Sequence, residues 1–231
     1  MRLAQIQMAV TADKAENLRH AEALLASVKG ADMAVLPEMF CCPYDNGCFR
    51  AYGEPAGGAA YQMLSRAAAE NHLWVVGGSI PELDGGRVYN TSYVFAPDGR
   101  CAARHRKMHL FDIDVDGGQR FRESDTLTAG DDVTVFDTPW CKMGLCICFD
   151  LRFQELSRLM TLAGAQMLLV PPAPPTGSCC SGSGPWTTSC SPWASPRPGT
   201  RRPPMWRGAT PSSATRGAPS STSAAPARRW R

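Results

Sequence analysis

The sequence predicts a mixed α/β protein in which strands alternate with helices in packed layers. Short apolar runs of strand length recur along residues 1–170, and longer segments between them repeat their apolar residues at helical spacing. Turn-forming pairs, Asp84-Gly85 and Asp98-Gly99, join some neighbouring strands as hairpins. Because hairpins make antiparallel neighbours, we expect a layered mixed sheet in place of a purely parallel one.

The elements follow one another in a regular order along this part of the chain. The clearest helix spans 13–28, where four apolar residues recur at helical spacing and Gly30 is placed to end it. Pro37 stops the strand that precedes it. The predicted helices are 13–28, 61–71 and 153–163, and the predicted strands are 2–10, 33–36, 73–77, 88–95, 101–106, 133–136, 142–147 and 166–170.

The composition is that of a globular protein. Of the 231 residues, 44% are hydrophobic and 19% charged, enough for one sizeable domain with a buried core. No apolar stretch approaches the roughly 20 residues that span a bilayer, and the N-terminus does not resemble a signal peptide. The ten Cys are therefore expected to be reduced thiols of a cytoplasmic protein. They lack the paired clusters of a structural zinc site, so no metal is predicted.

The chain divides in composition after Val170. Residues 1–170 hold all 21 acidic residues against 16 basic ones, whereas residues 171–231 hold eight Arg and no acid, so the net charge of +3 combines −5 with +8. Residues 171–231 also lack Leu, Ile, Val, Phe and Tyr and contain 13 of the 19 Pro. Such a segment cannot bury enough apolar surface to offset its ordering entropy. We therefore predict a folded domain over 1–170 and a disordered tail over 171–231.

Three reactive side chains stand just after predicted strands: Glu38, Lys107 and Cys148. Strand ends are where a sheet can bring groups distant in sequence into one pocket. Each has a structural alternative, because a free Cys is commonly a small buried apolar residue, Lys107 lies in a basic run and Glu38 could be a surface carboxylate. The four His could instead suggest a Cys–His hydrolase, but none sits in a recognisable protease signature.

The segments around these residues resemble the signatures of the nitrilase superfamily of carbon–nitrogen hydrolases. They occur in the family's order, as Leu36 to Phe40, Arg106 to Phe111 and Gly144 to Phe153, with Tyr89-Asn90-Thr91 as a fourth match. Three further runs are similar to the omega-amidase branch: Lys107 to Val115, Phe121 to Ser124 and Phe136 to Pro139. The resemblance covers nearly all of residues 2–170 and implies a nitrilase-like α/β/β/α sandwich whose C-terminal part is missing or replaced.

The resemblance also implies a role for each matched residue. Cys148 is the nucleophile, Glu38 the general base and Lys107 the cationic stabiliser. Glu123 is a second carboxylate that orients the site, and the backbone N–H of Phe149 would help to stabilise an oxyanion. The implied reaction converts small ω-amides of dicarboxylates, such as 2-oxoglutaramate and 2-oxosuccinamate, to the 2-oxo acid and ammonia through a Cys thioester.

The same resemblance bears on cofactors, partners and location. It implies no organic cofactor or metal, and it implies a homodimer in the intact family. The lack of a long apolar stretch and the division of the charge lead us to expect no membrane and no nucleic-acid partner. The expected location is the cytoplasm, with the mitochondrion as an additional compartment. Two alternatives stay open: a different small-amide hydrolase of the superfamily, or an inactive truncated product. Phe149 and Gln154 depart from the residues common in the family, and neither change removes a reacting group.

Residues 171–231 have four interpretations: a disordered linker, a Pro-rich ligand segment, a basic nucleic-acid-binding arm, or coding sequence translated in the wrong frame. The genetic code favours the last. When the third base of each codon is joined to the first two bases of the next, Trp186 before Thr187 forces Asp. In the same frame, Pro172 to Ser191 permits GPAHWELLFRQRAVDNQLF, which resembles the omega-amidase sequence expected after the nucleophile. Pro198 to Ser221 permits a second family-like string, RDAAPSYVAWGHSIVSNPWGTVL.

Overall fold

The structure, a computed structural model that describes residues 1–116 and 120–173, contains two packed β-sheets. The strands of the first sheet are β1 (Leu3–Gln5), β2 (Met33–Val35), β3 (Trp74–Val76), β4 (Ile80–Asp84), β5 (Arg87–Phe95) and β6 (Cys101–Arg106). β1, β2 and β3 are parallel neighbours. β5 runs antiparallel to β3 and β4 on one side and to β6 on the other. The predicted mixed sheet is therefore confirmed.

The second sheet is smaller and also mixed. It consists of β9 (Thr134–Asp137), β10 (Lys142–Leu145) and β11 (Met167–Leu169), with β10 antiparallel to β9 and parallel to β11. A separate antiparallel hairpin is formed by β7 (Asp112–Asp114) and β8 (Arg120–Arg122).

The helices of the described residues lie outside the sheets. They are α1 (Lys14–Ser27), α2 (Asn46–Tyr52), α3 (Ala59–Glu70) and α4 (Gln154–Leu162), and single 3-10 turns occupy Glu123–Asp125 and Cys148–Arg152. The predicted start of α1 follows from Asp13, whose side chain accepts hydrogen bonds from two backbone N–H groups of the first turn.

Strand alternation sorts the apolar residues into three layers. Met33 and Val35 of β2 pack between the sheets against Met143 and Leu145 of β10. Residues on the opposite face of the first sheet pack against α1 and α3: Ala34, Leu36, Val75 and Phe95. On the outer face of the second sheet, α4 packs through Leu156 and Met160 against Leu168. This arrangement is the predicted α/β/β/α sandwich.

The structure differs from the sequence prediction in element bounds and in several short elements. The predicted strands are mostly longer than the observed ones; 2–10 shrinks to Leu3–Gln5. β4 was not predicted because Pro81 interrupts its pattern. Pro is tolerated there because β4 is the edge strand, and among the described residues its outer side forms only an isolated bridge with Glu54. α2 was not predicted because Gly47 and several polar residues interrupt the helical repeat of apolar residues.

The predicted tail falls almost wholly outside the described residues. Only residues 171–173 of the segment 171–231 are described, so the predicted disorder of the remainder lies beyond the part of the chain described here. Among residues 1–116 and 120–173, no helix is long and apolar enough to cross a membrane.

Candidate active site

Glu38, Lys107 and Cys148 come together in one group, in which Glu38 and Lys107 are buried and Cys148 is half-buried. Glu38 lies three residues after β2, Lys107 directly after β6, and Cys148 three residues after β10. β2 and β6 belong to the first sheet and β10 to the second, so both sheets contribute to the site. Sequence spacing alone could not show that these three residues meet, and the structure places them together.

Lys107 is the positive centre of this group. Its Nζ atom lies 2.8 Å from Glu38 Oε1 and 3.0 Å from Glu123 Oε2, and all three side chains are fully buried. Burial acts to lower the pKa of Lys107, but the carboxylates of Glu38 and Glu123 outweigh it and raise the pKa above its usual range. The ammonium group therefore keeps its charge between two acidic side chains.

The two oxygens of Glu38 have different surroundings. Oε1 accepts hydrogen bonds from Lys107 Nζ and from Asn90 Nδ2, each at 2.8 Å. Oε2 is buried and accepts no hydrogen bond from any residue of the described chain. One oxygen is thus fixed by two donors while the other is left to accept a proton, as a general base requires.

Cys148 is held in a strained backbone conformation beside this carboxylate. Its φ angle is +44°, in the left-handed region that residues other than glycine rarely occupy. Burial raises the pKa of the Cys148 thiol, Glu38 raises it further, and Lys107 offsets part of the effect. The resting thiol is therefore protonated and needs a base at the moment of attack.

The turn that begins at Cys148 presents its backbone N–H groups in different ways. The N–H of Cys148 donates to the carbonyl of Pro171, and that of Asp150 donates to the carbonyl of Ile147. The N–H of Phe149, between them, forms no backbone hydrogen bond within the described chain. It is therefore available to a negatively charged oxygen beside the thiol.

Glu123 is anchored more fully than Glu38. Oε1 accepts from the Tyr44 hydroxyl and Lys107, while Oε2 accepts from the backbone N–H of Phe111 at 2.6 Å and also contacts Lys107. Burial raises the pKa of Glu123 and the Lys107 charge opposes that shift. With both oxygens bonded, Glu123 is suited to orient Lys107 and less suited to exchange a proton.

Some residues that build the site carry no sequence signal of their own. Tyr44 reaches Glu123 from 79 positions away. Two consecutive carbonyls after β11 hold the reactive segments: Pro171 O accepts from Cys148 N at 3.1 Å, and Pro172 O accepts from Glu38 N at 2.7 Å. Both prolines fall in the segment that composition assigns to the tail, so the contacts of the site reach past residue 170.

No metal centre is apparent near this group. In the described ranges 1–116 and 120–173, no cluster of three or more His, Cys, Asp or Glu side chains is disposed to hold a metal ion. A two-sheet sandwich with a half-buried thiol beside a buried carboxylate and a buried ammonium at its strand ends is suited to hydrolysis through a cysteine thiol.

Comparison with known proteins places this architecture in a family. The chain belongs to the carbon–nitrogen hydrolase family, whose model matches residues 2–217. It is 48% identical over 174 residues to omega-amidase NIT2 of Danio rerio and 45% identical over 174 residues to omega-amidase NIT2 of Homo sapiens. Each match covers 74% of this chain and 63% of the relative, so the chain spans about 63% of the length of these relatives.

Solved structures agree with the fold. The structure of Nit3 from Saccharomyces cerevisiae, a member of branch 10 of the nitrilase superfamily, matches with a TM-score of 0.65 at 35% identity, over 74% of this chain and 63% of that one. A carbon–nitrogen hydrolase from Helicobacter pylori G27 matches with a TM-score of 0.63 at 28% identity, over 74% and 59%. The implied nitrilase-like sandwich is thus confirmed over the described residues.

Proposed function

We propose that the chain hydrolyses the terminal amide of small ω-amides of dicarboxylates through a thioester on Cys148. The main support for the proposal is the difference between the two oxygens of Glu38. Oε1 accepts hydrogen bonds from Lys107 and Asn90, whereas Oε2 has no donor in the described chain. The similarity to omega-amidases supports the substrate class, 2-oxoglutaramate and 2-oxosuccinamate.

The first chemical step joins sulfur to the amide carbon. Glu38 takes the proton of the Cys148 thiol as Sγ attacks the carbonyl carbon, which avoids forming a free thiolate in a buried site. Negative charge moves to the carbonyl oxygen. The Lys107 ammonium and the Phe149 N–H are the groups that can stabilise it.

The Glu38 carboxyl group then transfers protons in the two remaining steps, the release of ammonia and the attack of water. Protonated Glu38 gives its proton to the amide nitrogen, the C–N bond breaks, and ammonia leaves a thioester on Cys148. Glu38 next removes a proton from water as the water oxygen attacks the thioester carbon. The C–S bond breaks, protonated Glu38 returns its proton to the sulfur, and the acid departs from the regenerated thiol. Lys107 stays protonated throughout because the adjacent carboxylates raise its pKa.

The test is ammonia release by the purified 231-residue chain. We expect turnover of 2-oxoglutaramate and 2-oxosuccinamate and its loss in Cys148→Ala. Turnover of neutral amides such as propionamide in preference to both would instead favour another small-amide hydrolase of the family. A folded chain with no turnover of any small amide would contradict the proposal and favour an inactive truncated product.

We also propose a homodimer in the cytoplasm, with an additional mitochondrial pool, and neither nucleic-acid nor membrane partners. The dimer rests on the resemblance to the family. All cysteines of the described chain are free thiols, as suits a reducing compartment. Light scattering that gives the monomer mass of 24.9 kDa at micromolar concentration would contradict the dimer.

We propose that the segment 171–231 is translated out of frame. The support is the two family-like strings that one shifted frame permits across Pro172 to Ser191 and Pro198 to Ser221. Genomic DNA and transcript sequences across codons 165–180 test the idea. A frame change or an aberrant splice junction is expected, and an uninterrupted transcript that encodes the printed residues without one would contradict the proposal.

A further inference from the structure

Asp150 is a buried carboxylate that the proposed reaction does not use. Its side chain is fully buried and lies two residues after Cys148, within the same 3-10 turn. Four donors surround it, two on each oxygen. Oδ1 accepts from the backbone N–H of His109 at 2.8 Å and lies 2.9 Å from His109 Nδ1. Oδ2 accepts from the backbone N–H of Ile147 at 3.0 Å and lies 3.2 Å from His105 Nε2.

These four donors come from two separate parts of the site. Ile147 is the residue immediately before the nucleophile. His105 and His109 flank Lys107, two residues before it and two residues after it. One carboxylate therefore ties the turn that carries the thiol to the segment that carries the ammonium, across more than 40 positions of sequence.

The two imidazoles are themselves held in place. His105 is fully buried, and its Nδ1 lies 3.0 Å from Thr134 Oγ1 in the second sheet. In the tautomer whose Nε2 donates to Asp150, Nδ1 accepts a hydrogen bond from the Thr134 hydroxyl. The ring of His109 stacks on Phe153, with centroids 3.7 Å apart and planes 9° from parallel. Neither ring can turn away from Asp150 without losing a second contact.

We propose that Asp150 is a positioning residue, which sets the placement of Cys148 relative to Lys107 by accepting hydrogen bonds from both segments at once. The inference rests on the proposed function, since it assigns a supporting role in the same reaction. The left-handed backbone at Cys148 makes such support necessary, because a strained conformation persists only where neighbouring contacts hold it.

The charge of Asp150 is part of this role. Burial acts to raise its pKa, but the hydrogen bonds from His105 and from the N–H groups of Ile147 and His109 outweigh it and hold the pKa below the usual value. An ionised carboxylate can only accept hydrogen bonds, so the Asp150 side chain is suited to a site in which all four of its contacts are with donors. An Asn in its place would turn an NH2 group toward one of these pairs of donors.

Asp150→Asn in the full chain tests the proposal by the rate at which iodoacetamide alkylates Cys148, followed by peptide mass spectrometry. We expect the rate to rise several-fold, because a thiol displaced from its native position loses burial and the adjacent Glu38 carboxylate, both of which raise its pKa. Cys48, measured in the same sample, should react at its wild-type rate. Asp98→Asn, in an exposed turn, is the matched control and should leave both rates unchanged.

A pair of His109 variants keeps the test decisive if Asp150→Asn does not fold. His109 is partly exposed, and both variants lose the stacking on Phe153. Asn retains a donor near the position of Nδ1, whereas Leu does not. We expect Cys148 to be alkylated several-fold faster in His109→Leu than in His109→Asn. We expect kcat on 2-oxoglutaramate to be lower in His109→Leu than in His109→Asn, with KM little changed.

The outcomes separate this inference from the proposed function. If the wild-type chain hydrolyses no amide, the proposed function fails, while the alkylation rates still report on the placement of the thiol. A folded Asp150→Asn variant that alkylates Cys148 at the wild-type rate overturns the inference. Equal alkylation rates for His109→Asn and His109→Leu would overturn it as well.

Discussion

Lys107 and Glu38 form a fully buried ion pair, with 2.8 Å between Nζ and Oε1. Glu123 completes the group from the other side of the ammonium, at 3.0 Å. Two carboxylates and one cation leave a net negative charge beside the thiol of Cys148. Burial and this negative charge raise the pKa of the thiol and keep it protonated at rest, and the two carboxylates keep the lysine charged for the step in which an oxyanion forms.

Removing the Lys107 charge should cost stability as well as activity. Lys107→Met leaves two buried carboxylates without their cation, and breaking a buried pair in this way costs about 3–5 kcal/mol. Urea unfolding measures the loss. The control is Lys142→Met, because Lys142 pairs with Asp137 at 3.6 Å on the surface, where an ion pair contributes roughly 0–1 kcal/mol. Equal losses in the two variants would contradict this account of the site.

Gly78 lies against the backbone just before Glu38, and we expect that only glycine fits at this position. Its φ is +54°, and a Cβ atom placed there would collide with the Pro37 carbonyl, directly before Glu38. Gly85 has a similar φ of +55°, and a Cβ there would meet no atom within 4 Å. Both Gly→Ala variants place alanine in the left-handed region at a similar cost in free energy of unfolding. The difference between their free energies of unfolding therefore measures the effect of the collision at Gly78.

We expect Gly78→Ala to lower the free energy of unfolding by at least about 1–3 kcal/mol more than Gly85→Ala, the usual cost of overpacking. Amidase activity should fall in Gly78→Ala and persist in Gly85→Ala. Thermal unfolding and ammonia release on the same preparations measure both. If Gly78→Ala matches Gly85→Ala in both respects, the turn before Glu38 is less constrained than the structure indicates.

The Tyr44 hydroxyl should matter for the rate and little for binding. Tyr44→Phe removes the donor to Glu123 Oε1 and keeps the ring, which stacks on Phe121 with centroids 5.4 Å apart. We expect kcat to fall roughly tenfold, or about 1.4 kcal/mol, with KM nearly unchanged. Tyr52→Phe, which loses an exposed hydroxyl bonded to the Ala12 carbonyl, is the control. An unchanged kcat in Tyr44→Phe would show that Glu123 needs no such anchor.

The sequence predicts this site well where side chains carry the chemistry and less well where backbone atoms support it. Glu38, Lys107, Cys148 and Glu123 are readable because each lies in a recognisable motif. The carbonyls of Pro171 and Pro172 are not, since any residue could supply a carbonyl and only the path of β11 places these two.

In the fold, too, some features could be predicted from side-chain patterns and others depend on backbone hydrogen bonding. The helical period of 13–28 predicts α1 almost to the residue, and the structure shows that Asp13 caps its first turn. The bounds of β1 could not be read, because residues 6–10 continue the apolar alternation after the ladder with β2 has ended. Alternation records which face is buried, whereas hydrogen bonding to a partner strand decides where a strand stops.

The alkylation of Cys148 should depend on pH differently from that of an ordinary thiol. Because burial and Glu38 raise its pKa, its rate should still rise with pH above about 8.5, where an unperturbed thiol levels off. Glu38→Gln removes a neighbouring negative charge, so the thiol pKa should fall and the profile should move to lower pH. The rate of iodoacetamide reaction across pH measures both. A Cys148 profile that levels off near 8.5 in the wild type contradicts the geometry.

The central claim is that Cys148 forms a covalent acyl intermediate, and acid-quenched mass spectrometry during turnover of 2-oxoglutaramate tests it most directly. The account predicts that the Cys148 peptide gains the mass of the acyl group and loses it on treatment with hydroxylamine, while Cys148→Ala shows no adduct. Ammonia release that persists in Cys148→Ala, or an acyl adduct on a different residue, would contradict it.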